Sequence, residues 1–63
     1  MELTPKQREA AKHLKAGLRP AEVAQQMGIQ PTTLRMHIQG IRRFYDTASY
    51  QEAINKARRR GDL

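Results

Sequence analysis

The sequence predicts an all-α fold of four short helices, and three observations carry that prediction. Pro5, Pro20 and Pro31 each open a run of helix-forming residues, and Gly17 and Gly28 follow the first two runs. Proline suits the first helical position, where its missing N–H would have no partner, and glycine suits the turn just past a helix end. Apolar residues recur at spacings of three and four along each run, the period of one face of an α-helix. No segment shows the alternating, β-branched pattern of a strand.

The first helix is expected over about residues 5–16, with Thr4 as its N-cap and Gln7 placed to complete a capping box. Its inward residues are Ala10, Ala11 and Leu14, preceded by Leu3, and their small size suits a close helix–helix approach. The second helix is expected over 20–27 with Val23, Ala24 and Met27 inward, and the third over 31–45 with the stripe Leu34, Ile38, Ile41 and Tyr45. The fourth is expected over about 50–60, capped by Ser49 with Glu52 and stopped by Gly61. Its stripe is Tyr50, Ala53, Ile54 and Ala57, and its basic last turn suits the negative end of the helix dipole.

Length and composition narrow the function. A chain of 63 residues makes one domain with a thin core, too small for the deep clefts of most catalytic folds. No nucleophile, base and orienting group converge in the sequence, so an enzyme is not expected. Without cysteine there is no disulfide framework, no cysteine zinc site and no thiol catalysis. His13 and His37 lie 24 residues apart with no ligand pattern around them, so no metal or other cofactor is expected. No apolar run reaches the ~20 residues of a membrane span, and the N-terminus is no signal peptide, so the expected location is cytoplasmic, away from membranes. Twelve Lys and Arg against six Asp and Glu give a net charge of +6, which favours polyanionic partners. Residues 33–63 hold seven of those basic residues and three of the acids.

The second and third helices are joined by Gly28-Ile29-Gln30, a short glycine-containing turn of the helix-turn-helix kind. Ile29, apolar within that turn, is expected to plug the core. The second helix of such a unit lies in the DNA major groove. Opposite the apolar stripe of the third helix lie Thr32, Arg35, Met36, Gln39 and Arg43, with no acid among them. Arginine pairs bidentately with guanine, glutamine with adenine, and an apolar side chain meets a thymine methyl.

Over about residues 3–58 the chain resembles the LuxR/GerE-type helix-turn-helix domain. The resemblance rests on Leu3-Thr4-Pro5-Lys6-Gln7-Arg8-Glu9, Gly17-Leu18, Ala21-Glu22-Val23-Ala24, the run from Met27 to Ile38, and Ser49-Tyr50-Gln51-Glu52-Ala53. It implies a four-helix fold in which the third helix reads the major groove and the fourth forms a dimer contact. On that reading Arg35, Met36 and Gln39 face bases, while Thr32, Thr33, Arg42 and Arg43 hold the DNA backbone. Tyr50, Ala53, Ile54 and Ala57 then form the dimer interface, and Ile54→Glu is expected to break the dimer without breaking the fold. Glu22 is expected to be structural, paired with a basic residue of the third helix. Arg19 and Gln30 depart from the family's usual caps, and Gly40 interrupts the third helix, where it costs about 1 kcal/mol against alanine. Met1, directly before the domain, points to a stand-alone small regulator.

The expected function is therefore a sequence-specific regulator of transcription, binding double-stranded DNA as a homodimer, with RNA polymerase or another regulator as a further partner. Two rivals stand beside it. One is a promoter binder like region 4 of sigma factors, which His37 and the well-marked fourth helix fit less well. The other is a helical protein-interaction module for an acidic partner, such as a phage-encoded modulator of a host protein.

Overall fold

The computed structural model describes residues 2–63; Met1, on which the stand-alone expectation rests, lies outside the described residues. Four helices follow in order: α1 (Pro5–Lys15), α2 (Pro20–Met27), α3 (Pro31–Tyr45) and α4 (Tyr50–Arg59). There is no strand among the described residues. The expected bounds hold for α2 and α3, while α1 and α4 each end one residue earlier than expected.

The starts of the helices differ in a way the side chains explain. Thr4 accepts from the Gln7 N–H at 3.1 Å, and Gln7 Oε1 accepts from the Thr4 N–H at 3.0 Å, which is the full capping box expected for α1. At α4 only the forward half forms: Ser49 accepts from the Glu52 N–H at 3.2 Å. Arginine has no acceptor, so α2 keeps only the reciprocal half, with the Glu22 carboxylate taking the Arg19 N–H at 2.8 Å. This corrects the expected pairing of Glu22 with α3: its carboxylate closes the start of its own helix. Gln30 gives α3 no side-chain cap.

All four helices stop in the same way, by a Schellman close with one residue in the left-handed region. At α2 that residue is Gly28, φ 66°, where the Ile29 N–H reaches Ala24 O at 3.0 Å. This close turns the chain sharply and brings Ile29 half-buried against the core, as its place in the turn predicts. At α3 the left-handed residue is Asp46, φ 55°, where the side chain is short enough to be tolerated. Lys56 donates to the Tyr45 carbonyl at 2.9 Å and so closes α3 from α4.

The core lies where α1, α2 and α4 meet the inner stripe of α3. It comprises Leu3, Ala10, Ala11, Leu14, Val23, Ala24, Leu34, Ile41, Tyr45, Ala53, Ile54 and Ala57. Ile38 and Met27, expected in the stripes, pack half-buried at its margin. Ala10, Ala11, Ala53 and Ala57 are fully enclosed, so methyl-sized side chains let α1 and α4 each come close to α3. Gly40 has its reason at the crossing of α1 and α3, where a Cβ would overlap the Gln7 side-chain amide.

Candidate nucleic-acid interface

Burial of Leu34, Ile41 and Tyr45 fixes how α3 is rotated. At 100° per residue the opposite face must then carry Thr32, Arg35, Met36, Gln39 and Arg43. All five are exposed, and Met36, at 70 %, is the one large apolar side chain among the described residues that stands out in solvent. An exposed thioether between an arginine and a glutamine has no structural partner to satisfy. Thr33 is exposed too, and with Thr32 it sits in the uncapped first turn of α3, where backbone N–H groups have no side-chain acceptor.

The face is framed on both sides. On one flank Arg35 shares an apolar cleft with Pro20, Ala21, Pro31, Leu34 and Ile38, so the start of α2 lies beside the start of α3. On the other flank Gln7, at the start of α1, reaches Gly40. Towards the end of α3, Arg42 and Arg43 line a groove with Gln39 and Thr47. Arg42 is half-buried, with its Nε enclosed and unpaired within the protein, so its stem is packed and its position restricted. Thr32, Arg35, Met36, Gln39 and Arg43 thus share the exposed, acid-free side of α3, while Thr33 and Arg42 lie on its two flanks.

The expected dimer residues fare differently. Ala53 and Ala57 are 0 % exposed and Ile54 is 7 % exposed, all within the core of a single chain. Ala53 and Ala57 are therefore not available to a second copy, which corrects their assignment to an interface, and Ile54 offers only an edge in a depression with Leu14, Tyr50 and Gln51. Their stripe is the inner face of α4, and a helix of ten residues does not have the same apolar stripe free for another subunit. Of the four, Tyr50, half-buried at the start of α4, is the most exposed. The outer face holds Gln51, Glu52, Asn55, Arg58 and Arg59, all exposed.

From the sequence Arg58, Arg59 and Arg60 read as a solvated tail, with phosphate contact as the lesser reading, and the clasp made by Asp62 was not foreseen. Asp62 accepts from the Tyr45 hydroxyl at 2.7 Å, and its carbonyl accepts from Arg8 at 3.0 Å. The Arg60 guanidinium lies over the Tyr45 ring, 5.5 Å from its centre. Burial, then the hydrogen bond to Asp62 and its charge, push the Tyr45 hydroxyl up from 10.0 to about 12. Phe44 meets the Tyr45 ring edge-on at 4.9 Å and packs half-buried against the core. The one sequence signal for this clasp was Gly61, whose left-handed φ of 78° turns Asp62 back towards α3.

Among the described residues no three His, Cys, Asp or Glu side chains gather to hold a metal, and no helix is long and apolar enough to cross a membrane. Residues 1–57 match the family model GerE, described as bacterial regulatory proteins of the luxR family. No curated protein and no solved structure matches the chain. The model match spans α1 to α3 and most of α4, and the architecture it requires is the one observed. With a glycine-closed helix-turn-helix, an exposed acid-free third helix and this match over nearly its whole length, the chain belongs to the luxR family of DNA-binding bacterial regulatory proteins.

Proposed function

We propose that the protein is a sequence-specific regulator of transcription that inserts α3 into the major groove of double-stranded DNA. The observation that carries this reading is the exposed, acid-free face of α3 directly opposite its buried stripe. Arg35 and Gln39 supply the two side-chain types that read guanine and adenine, and Met36 supplies an apolar surface for a thymine methyl. Thr32 and Thr33, with the uncapped N–H groups of the first turn, face the phosphate backbone, and Arg42 and Arg43 grip it further along. A module with this few contacts binds weakly at physiological salt, so two copies on adjacent half-sites are the working unit. Their contact is formed by Tyr50 with Gln51, Asn55 and Arg58, which line one depression on α4.

The test is selection of bound sequences from random duplex DNA, followed by titration of the recovered site. Arg35→Ala is expected to weaken binding to that site by about 1–3 kcal/mol and to relax preference at one position. Unchanged affinity removes Arg35 from the reading set. Binding without any sequence preference at all would favour a protein-interaction role instead.

A further inference from the structure

We infer that Arg43 and Arg60 together form a second phosphate-binding site beside the recognition helix, built by the C-terminal turn that the Asp62 clasp holds in place. The ligand is a phosphodiester of the same duplex, so the inference rests on the reading above and deepens it. Arg60 lies beyond the residues that match the family model, and so does the whole clasp from Gly61 onward.

Arg43 and Arg60 line one groove with Gln7, Gly40 and Phe44. No acidic residue lines it. Arg43 is also part of the groove with Gln39, Arg42 and Thr47, so the two depressions meet at this side chain. The cationic surface that begins at Arg35 thereby continues past the end of α3 onto a different part of the chain. This lies on the α1 flank, opposite the flank where Arg35 meets α2.

A free C-terminal arginine would lose several rotatable bonds of freedom on binding. Arg60 does not start free. Its guanidinium lies over the Tyr45 ring, 5.5 Å from the centre, and the turn carrying it is tied at Asp62 by the Tyr45 hydroxyl and Arg8. This cation–π contact engages the charge of the guanidinium rather than its N–H groups, which remain to donate to an anion. Asp62 is thus a positioning residue: its own contacts are to Tyr45 and Arg8, and it is not among the residues that line the groove.

The experiment is the salt dependence of binding to a mixed-sequence duplex of about 25 base pairs, long enough for two half-sites. Each lost phosphate contact lowers the slope of log affinity against log salt by about 0.9. Arg60→Ala is expected to lower the slope by about that amount and to weaken binding about three- to tenfold near 0.1 M salt. Arg59→Ala removes the same charge one residue away, outside the groove, and is expected to leave the slope unchanged. Asp62→Ala removes a negative charge, which by charge alone would strengthen binding; release of the turn is expected to weaken it instead, with helix content retained by circular dichroism. Equal effects of Arg59→Ala and Arg60→Ala, or no effect of Arg60→Ala while Arg35→Ala still weakens binding, overturn the second site and leave the recognition helix standing. Stronger binding by Asp62→Ala overturns the positioning role. Failure of the unaltered protein to bind duplex at low salt overturns the site and the proposed function together.

Discussion

Tyr45 shows how much one residue joins. By spacing it is the last member of the inner stripe of α3, and it is 1 % exposed as that stripe requires. Its hydroxyl finds a carboxylate 17 residues later, its carbonyl takes Lys56, and its ring carries Arg60. Tyr45→Phe keeps the ring and removes the hydroxyl, and is expected to cost about 1–2 kcal/mol at neutral pH. The pH dependence has a definite sign. The hydroxyl titrates near 10 when unfolded and about 12 when folded, so its contribution is complete below pH 10. It is lost as pH rises from 10 towards 12, by an amount on the order of 2–3 kcal/mol. Denaturant unfolding of both proteins across that range checks this, since the phenylalanine variant lacks the group. The stability gap between them is expected to close and then reverse with rising pH, and a constant gap contradicts the assignment.

At the scale of elements, Gly40 is the informative position. Within α3 it costs about 1 kcal/mol against alanine, which sequence reasoning leaves without a reason. The reason is on another helix: a Cβ there would overlap the Gln7 amide, whose oxygen closes the capping box of α1. Gly40→Ala therefore gains helix propensity and disturbs a cap of about 1 kcal/mol, for a net change near zero. In a Gln7→Ala background the obstruction is gone, and the same substitution is expected to stabilise by about 1 kcal/mol. Thermal or denaturant unfolding of the four proteins measures the coupling, and equal effects in both backgrounds would disprove it. This pair also marks what could be read from the sequence. Helix starts and stops were legible because proline, Thr4, Ser49 and the glycines act within a few residues of themselves. The recognition face was legible because a buried stripe dictates its opposite. The partners of Gly40, Glu22 and Asp62 were not, because each depends on a choice among contacts that local pattern does not rank. Glu22 had a nearer donor in the Arg19 N–H than any base of α3, and a local bond needs no long-range ordering.

For the whole molecule the open matter is how two copies meet. A stable free dimer usually buries at least about 1,200 Å² in total, or roughly 600 Å² per copy, with an apolar centre. This chain exposes 4419 Å² in all, so such a patch would be a visible share of its surface. The α4 stripe that could have supplied it is spent on the chain's own core, leaving Tyr50 amid Gln51, Asn55 and Arg58. Each copy also carries +6, and pairing two of them in free solution works against that charge. On a duplex the phosphates neutralise it and hold the copies side by side, so the missing contact area matters less. The free protein is therefore expected to sediment as a monomer at micromolar concentration and moderate salt, and to assemble two to a duplex carrying paired half-sites. A dimer without DNA contradicts this. Ile54→Glu separates the core from the interface directly. If Ile54 were an interface residue, the variant would stay folded and merely fail to pair. At 7 % exposure it instead places a carboxylate in the core cluster beside Leu14 and Tyr50, among groups that are apolar and closely packed. The expected outcome is loss of cooperative unfolding and of helical circular dichroism at neutral pH, in a protein that was monomeric before the change.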